Sequence, residues 1–316
     1  MSSLASVKKA SARLKDSLKN CRICPRKCGA DRTHGKAGYC RSGLKAAVYS
    51  YLAHHGEEPP ISGDLGSGTI FFSGCNMKCV YCQNYRFSQL DEGKEVTTGE
   101  LSDIMLSLQN RGCHNINLVS PTHYLPQILS SLEKALEDGL YVPVVYNTSG
   151  YDDPETIKIL DGVVDVYLPD MRYSDNRMAA KYSDAPNYVE NNVASVTEMH
   201  RQVGDLVISD EGTAMKGIII RLLALPENIS GISKTLHAIK DGISKNVYLS
   251  IMSQYYPTFK AYEYKELSRG VSIDEYANIV DEARNIGLNK GWIQETPDRT
   301  DRKFFGTDIQ PDTKVL

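Results

Sequence analysis

Three cysteines close together in the chain constrain its fold and chemistry more than any other feature. Cys75, Cys79 and Cys82 follow the apolar residues 69–72 and a Ser-Gly pair. The apolar run predicts a buried strand, and the Ser-Gly pair predicts a turn at its end. Three thiolates on one short loop can bind one inorganic centre, and iron–sulfur clusters usually take four cysteines. A cubane bound here would therefore have one iron without a protein ligand, an open position of the kind that catalytic metal sites keep.

The same loop carries a family resemblance. Its C-x3-C-x2-C spacing, with the aromatic Tyr81 before the last cysteine, resembles the radical S-adenosylmethionine (radical SAM) superfamily. The resemblance implies that Cys75, Cys79 and Cys82 bind a [4Fe-4S] cluster whose open iron chelates S-adenosylmethionine. It also implies that one electron cleaves this cofactor to methionine and a 5′-deoxyadenosyl radical, which abstracts hydrogen from a substrate. The alternatives are three unrelated core cysteines or a zinc knuckle, for which the nearest downstream histidine is His114.

A second group of cysteines lies near the start of the sequence. Cys21, Cys24, Cys28 and Cys40 have a C-x2-C-x3-C-x11-C spacing in a segment rich in glycine and basic residues. Such a segment has little core of its own and is stabilised better by a metal than by burial. Four thiolates can close a tetrahedral zinc site or bind an auxiliary [4Fe-4S] cluster, because an all-cysteine set suits either centre. Unmetallated thiols are the third interpretation.

The charge and the cysteine content exclude several functional classes. The net charge is −3 with acidic and basic residues interspersed, so no global field favours a nucleic acid or a membrane as partner. No apolar run is long enough to span a bilayer, and residues 1–20 lack the apolar core of a secretory signal. Seven of the eight cysteines lie in two tight groups, which is typical of metal sites rather than of a secreted disulfide framework. We therefore expect a reducing, cytoplasmic location, with Cys113 as a small buried hydrophobic residue.

Strand and helix patterns alternate from residue 69 onward. The predicted strands cover residues 69–72, 115–119, 142–146, 163–168, 217–222 and 247–251. The predicted helices cover residues 98–110, 125–138, 154–160, 189–203, 230–241 and 273–286. Six consecutive β/α units imply a parallel sheet with right-handed crossovers, and six are too few for a closed eight-stranded barrel. We predict an α/β fold with a partial (β/α)6 TIM-like barrel at residues 65–294, a cysteine-rich metal-binding segment at 1–64 and a tail at 295–316.

Polar residues follow the predicted strands, at the edge of the sheet where β/α barrels place their chemistry. They are Ser120 and Thr122 after the second strand, Asn147, Thr148 and Ser149 after the third, Asp170 and Arg172 after the fourth, and Arg221 in the fifth. Hydroxyl and amide groups suit the ribose or the carboxylate of a nucleotide cofactor, and arginine binds a carboxylate bidentately. We predict that these residues, together with Tyr81, bind S-adenosylmethionine. His123, also after the second strand, is a candidate proton carrier or a structural hydrogen-bonding residue.

The residues after the third and fourth strands resemble pyruvate formate-lyase activating enzymes in particular. That family has Asp-Thr-Asn-Gly and Asp-Leu-Lys there, where this chain has Asn-Thr-Ser-Gly and Asp-Met-Arg. The resemblance implies that Asn147, Thr148 and Asp170 bind a monovalent cation beside the methionine carboxylate. This chain departs from the family by carrying Asn147 instead of aspartate, which weakens a cation site, and Ser-Pro-Thr-His-Tyr at residues 120–124 instead of Gly-Gly-Glu. For Asp170 and Arg172, an ordinary salt bridge is the alternative.

Three functions are consistent with these features. The first is an activase that installs a radical on a glycyl radical enzyme, which would be a partner protein. The second is a radical enzyme for a small molecule or a peptide side chain, enclosed by the tyrosine-rich insertion at residues 170–210. The third is a non-enzymatic metal-binding module. Either enzyme implies, by resemblance, a flavodoxin- or ferredoxin-type electron donor. Residues 54–58, which include two histidines and two glutamates, are expected in a loop near the mouth of the site.

Overall fold

One ten-stranded sheet organises the computed structural model, which describes residues 2–35 and 37–294. The strands are β1 (Ala46–His54), β2 (Ser67–Phe72), β3 (Lys94–Val96), β4 (Ile116–Val119), β5 (Val144–Thr148), β6 (Val166–Pro169), β7 (Val207–Ile208), β8 (Ala214–Leu223), β9 (Tyr248–Met252) and β10 (Gly291–Ile293). Their order is β10-β9-β8-β6-β5-β4-β2-β1-β3, and β7 pairs with β8. The pairs from β2 to β10 along this order are parallel, whereas β1, β3 and β7 pair antiparallel. Because β10 and β3, the two ends of this order, do not pair with each other, the sheet is open, as in the predicted partial barrel.

At least one α-helix lies between each two consecutive parallel strands, as a parallel connection requires. The α-helices of the described residues are α1 (Leu4–Leu14), α2 (Pro59–Ser62), α3 (Tyr85–Gln89), α4 (Thr98–Asn110), α5 (Leu125–Glu137), α6 (Pro154–Ile159), α7 (Asn176–Ser183), α8 (Tyr188–Val203), α9 (Ile232–Gly242) and α10 (Ile273–Asn285). Each predicted β/α unit is present. Capping boxes begin α4 at Thr97 and α10 at Ser272. In each box the hydroxyl accepts from the backbone N–H of the glutamate three residues later, and that glutamate's carboxylate accepts from the backbone N–H of the capping residue. In the part of the chain that the structure describes, no helix has the length and apolarity needed to cross a membrane.

Four strands of the sheet, β1, β3, β7 and β10, were not among the six predicted strands. β10 is a seventh parallel strand of three residues, too short to leave an apolar run in the sequence. β1 pairs antiparallel with β2, so the predicted N-terminal segment at 1–64 is joined to the barrel by sheet hydrogen bonds. The predicted tail at 295–316 lies outside the described residues.

The two faces of the parallel strands carry different side chains. Ile218 and Ile220 of β8 pack in the main core between the sheet and the helices, whereas Ile219 packs in a smaller cluster on the inner face. Because side chains alternate along a strand, Arg221 shares the inner face with Ile219, and Asn147 of β5 shares it with Val145. The inner face is thus apolar toward the start of the strands and polar toward their carboxyl ends. This alternation brings the candidate site residues into the interior of the partial barrel.

Candidate active site

The three-cysteine loop begins directly after β2, at the carboxyl edge of the parallel strands. Gly74 makes the turn at φ +79°, where a Cβ would lie 2.6 Å from the carbonyl oxygen of Cys40, so the position favours glycine. Cys79 is 4% exposed, and Cys75 and Cys82 are half-buried. Burial, followed by the charge of Cys79, raises the pKa of Cys75 to about 11 and that of Cys82 to about 12. Metal ligation would therefore have to displace protons from these thiols.

Each sulfur of the loop has a polar neighbour at hydrogen-bond distance. The pairs are Met77 N to Cys75 Sγ (3.4 Å), Ser183 Oγ to Cys79 Sγ (3.0 Å), Arg172 Nη1 to Cys79 Sγ (3.3 Å) and Ser88 Oγ with Cys82 Sγ (3.2 Å). Such contacts stabilise metal-bound sulfur and tune iron–sulfur clusters. The donor set therefore fits three thiolate ligands of a cluster. Ser183 and Ser88 were not singled out from the sequence, since nothing in their local patterns relates them to the cysteines.

A buried ion-pair network adjoins Cys79. Arg221 Nε donates to Asp170 Oδ1 at 2.8 Å, and Arg172 donates to Asp170 Oδ2 from Nε at 2.8 Å and from Nη2 at 2.6 Å. The Asp170 side chain is 6% exposed. Burial alone would raise its pKa, but the two guanidiniums outweigh burial and hold the pKa below its usual value. The structure thus brings together Asp170, Arg172 and Arg221, and it contains the salt bridge between Asp170 and Arg172 that was the alternative to a cofactor role for those two residues.

The predicted cation site has its side-chain oxygens occupied. Asn147 Oδ1 accepts a hydrogen bond from Arg221 Nη2 at 2.6 Å, and both carboxylate oxygens of Asp170 accept from arginines. The Thr148 hydroxyl donates to Asp152. A guanidinium group therefore supplies the positive charge beside these oxygens, and the structure gives no support to the predicted monovalent cation.

Asp152 is a buried residue that sequence reasoning missed. Its carboxylate accepts hydrogen bonds from Thr148 Oγ1 at 2.6 Å, Thr122 Oγ1 at 2.7 Å and Tyr146 OH at 3.0 Å. Burial raises its pKa, and these three donors partly oppose that shift. Because the threonine hydroxyls are engaged here, Asp152 ties the segments after β4 and β5 together. The roles of Thr122 and Thr148 as cofactor contacts remain predictions.

The two predicted serines lie at turns beside the network. Ser120 has φ +56° and donates its backbone N–H to the carbonyl of Asn147 at 2.9 Å. The carbonyl oxygen of Ser149 accepts a hydrogen bond from Tyr188 OH at 2.9 Å. These contacts use backbone groups of the serines. Their hydroxyls as cofactor contacts stay a prediction.

Tyr81 belongs to a layer of buried tyrosines over the cysteine loop. Its hydroxyl is 2.5 Å from that of Tyr173, which is 2.7 Å from Ser183 Oγ, the donor to Cys79. The ring of Tyr81 packs edge-on against the ring of Tyr255, with 5.8 Å between the ring centroids. Tyr173 and Ser183 come from the insertion at residues 170–210, which the structure confirms as helical over residues 176–183. The insertion thus packs directly on the loop of the candidate site.

The prediction that residues 54–58 lie near the mouth was wrong. β1 runs antiparallel to β2, with His54 opposite Ser67, so the following loop lies at the amino ends of the parallel strands. From there Glu57 reaches the interior: its Oε1 accepts from Asn117 Nδ2 at 3.0 Å, and its Oε2 lies 3.6 Å from Arg221 Nη1. Burial raises the pKa of Glu57, with Arg221 opposing the shift.

Glu58 adds a second buried carboxylate to the interior. The residue is 8% exposed, and its Oε2 has no hydrogen-bond partner among the described residues. Asn117 Oδ1 is likewise buried without a partner there. Burial raises the pKa of Glu58, while Arg221 and the Ser250 hydroxyl oppose the shift. The deep end of the barrel therefore contains two buried side-chain oxygens, Glu58 Oε2 and Asn117 Oδ1, without a partner among the described residues.

We expect the Glu58→Gln variant to gain stability over the wild type as the pH rises. Because burial raises the pKa of Glu58 in the folded state, its contribution to stability is complete below the unfolded pKa and is lost as the pH rises through the folded pKa. Glutamine has no such proton to lose. Urea unfolding at about pH 5 and about pH 8 measures this difference. The exposed Glu155→Gln variant is the control, and a Glu58→Gln difference that is the same at both pH values would contradict the prediction.

The N-terminal cysteines lie beside the three-cysteine loop, since the carbonyl oxygen of Cys40 lies against Gly74. Cys21, Cys24 and Cys40 are buried and Cys28 is exposed. Within residues 2–35 and 37–294, no group of three or more histidine, cysteine, aspartate or glutamate side chains is arranged to hold a single metal ion. A cubane does not require such a group, because its thiolates bind separate irons.

Comparison with known proteins identifies the family to which the region around the site belongs. The family model described as "Radical SAM superfamily" matches residues 69–237. A protein of Methanocaldococcus jannaschii named Uncharacterized protein MJ0674 is 32% identical over 288 residues, which are 87% of this chain and 77% of the relative. A second protein of that organism, Uncharacterized protein MJ0808, is 22% identical over 289 residues, covering 83% of this chain and 80% of the relative.

Two solved structures are also similar to this chain. Methylornithine synthase (PylB) aligns with a TM-score of 0.47 and 14% identity over 69% of this chain and 60% of that chain. The FeFe-hydrogenase maturase HydG from Carboxydothermus hydrogenoformans aligns with a TM-score of 0.48 and 15% identity over 71% of this chain and 52% of that chain. This chain thus spans less than two thirds of the length of either protein.

Proposed function

Because this chain belongs to the radical SAM superfamily, we propose that it binds a [4Fe-4S] cluster at Cys75, Cys79 and Cys82 and cleaves S-adenosylmethionine reductively. When bound, the cluster and its cofactor supply a 5′-deoxyadenosyl radical that abstracts hydrogen from a substrate. The observation that carries this proposal is the set of polar contacts on the three sulfurs, in which Ser183 and Arg172 donate to Cys79.

The residues around the loop orient and shield the site. Arg172 is fixed by two hydrogen bonds to Asp170, so its third contact, to Cys79, is preorganised. Tyr81 and its tyrosine neighbours exclude water on the same side. We propose that Arg172 and Arg221, with Asn147, Asp170, Ser120 and Ser149 beside them, bind the cofactor, since guanidiniums pair with carboxylates bidentately.

For the substrate, we propose a small molecule or a peptide side chain that carries N–H donors. The supporting observation is the pair of buried oxygens, Glu58 Oε2 and Asn117 Oδ1, that lack a hydrogen-bond partner among the described residues and that a cationic or amide-bearing group would satisfy. The backbone glycine of a glycyl radical enzyme brings an amide N–H but no positive charge to pair with the buried carboxyl groups of Glu57 and Glu58. A flavodoxin- or ferredoxin-type protein is the proposed electron donor.

Formation of 5′-deoxyadenosine tests the enzymatic proposal. We expect anaerobically reconstituted protein to form this nucleoside from S-adenosylmethionine and dithionite, above the background of a mixture without protein. If no 5′-deoxyadenosine forms above background, both enzyme functions are contradicted, and the non-enzymatic metal-binding module is the function that remains.

Isotope transfer distinguishes the two classes of substrate. We expect deuterium to move into 5′-deoxyadenosine from a deuterated amine-bearing small molecule or peptide side chain. Transfer from the α-carbon of a glycine in a partner protein would instead establish the activase.

A further inference from the structure

The N-terminal cysteines surround a buried arginine. Arg32 is 2% exposed, and its Nη2 lies 3.1 Å from Cys21 Sγ and 3.7 Å from Cys40 Sγ. Its Nη1 donates to the carbonyl oxygen of His123 at 2.5 Å. Its Nε is buried and has no acceptor within the described residues. The hydrogen-bond partners of this guanidinium in that part of the chain are therefore two sulfurs and a carbonyl, with no carboxylate.

Such a guanidinium requires a negative charge close by. Burying an ion without a counter-ion is strongly unfavourable. The neighbouring groups that can become anions are the thiols, and a buried thiol is held as the thiolate when a metal binds it. The position of Arg32 is therefore that of a counter-ion to a metal–thiolate centre.

The ligand arrangement that a tetrahedral zinc site needs is not found among the described residues. A tetrahedral zinc site holds its sulfurs at about 2.3 Å from a single ion, and no three candidate ligands of the described residues are arranged in that way. A cubane binds each thiolate through a different iron. We propose that Cys21, Cys24, Cys28 and Cys40 bind an auxiliary [4Fe-4S] cluster, and that Arg32 is its counter-ion and raises its reduction potential.

His123 joins this centre to the three-cysteine loop. Its Nε2–H donates to the carbonyl of Ser73 at 2.8 Å, while its own carbonyl accepts from Arg32. Burial lowers the pKa of His123 to about 4, so the ring is neutral near pH 7. Because the carbonyl of Cys40 also lies against Gly74, the auxiliary centre adjoins the segment that precedes Cys75. His123 thus has the structural role rather than that of a proton carrier.

A variant without the three-cysteine site tests the metal assignment. We expect the Cys75→Ala, Cys79→Ala, Cys82→Ala triple variant, reconstituted anaerobically with iron and sulfide, to bind about four irons and no zinc, against about eight irons in the wild type. Zinc in the triple variant, or no metal, would overturn the proposal. About four irons in both the wild type and the triple variant would support the auxiliary cluster, but would contradict the proposed cluster at Cys75, Cys79 and Cys82.

The role of Arg32 is tested in the same triple-variant background. We expect Arg32→Gln to shift the midpoint potential of the auxiliary cluster to a more negative value, because a positive charge that favours the reduced form is lost. The midpoint potential of Arg32→Lys should lie closer to that of the parent triple variant. The potential of Arg22→Gln, a substitution at an exposed position, should equal that of the parent. An unchanged potential in Arg32→Gln would overturn the counter-ion assignment, and the iron content of each variant shows that its centre is assembled.

Discussion

Replacing Cys79 with alanine will reduce the cleavage of S-adenosylmethionine to background. Of the three loop cysteines, Cys79 is the most deeply buried, and its sulfur accepts two hydrogen bonds, from Ser183 and from Arg172. Its loss leaves two protein thiolates for a cluster that needs three and also removes the sulfur that accepts from Ser183 and from Arg172 Nη1. The measurement is 5′-deoxyadenosine formed per protein under dithionite, together with the iron content.

Cys113 provides the matched control. It is also a buried cysteine, 2% exposed, but it packs in the main core away from the loop. Cys113→Ala removes a small apolar volume, which is expected to cost about 1 kcal/mol of stability and to leave nucleoside formation near the wild-type level. Equal loss of activity in both variants would contradict the assignment of Cys79 as a cluster ligand.

Replacing Asp170 with alanine is expected to lower the free energy of unfolding by about 3–5 kcal/mol, because it leaves buried charges without their partner. Asp170 accepts from both Arg172 and Arg221, so one substitution removes the carboxylate that the two guanidiniums share and leaves Arg221 with the longer pair to Glu57. The negative charge of Asp170 is maintained by those arginines, which hold its pKa below the usual value. Chemical unfolding followed by circular dichroism measures the change.

An exposed ion pair of similar length is the control for that stability measurement. Asp138 pairs with Lys134 at 2.6 Å on the surface of α5, where both side chains remain more than 40% exposed. Asp138→Ala should cost about 0–1 kcal/mol, since solvent screens such pairs. A cost for Asp170→Ala no greater than that for Asp138→Ala would show that the network does not stabilise the barrel.

The sequence predicted those features that follow from local pattern and from the geometry of parallel strands. Asn147, Asp170 and Arg221 are far apart in the chain, yet they were expected together because parallel strands end at one edge of the sheet. The structure joins them by direct hydrogen bonds. The cysteine loop after β2 was predicted from the cysteine spacing together with its context, the apolar strand before it and Tyr81 within it.

Features that depend on chain reversal and on insertions were not predictable in this way. Glu57 was placed at the mouth because the antiparallel course of β1 leaves no mark in its sequence. Ser183 reaches Cys79 from an insertion whose path only tertiary packing determines. Asp152 engages Thr122 and Thr148, and no sequence signal distinguishes such an internal hydrogen bond from a cofactor contact.

Electron paramagnetic resonance of the reduced protein tests the central claim most directly. If Cys75, Cys79 and Cys82 hold a cubane with one iron open, adding S-adenosylmethionine to anaerobic, dithionite-reduced protein will change the signal of that cluster. The Cys75→Ala, Cys79→Ala, Cys82→Ala variant will show no such change. A cubane signal in the wild type that S-adenosylmethionine leaves unaltered would contradict the account.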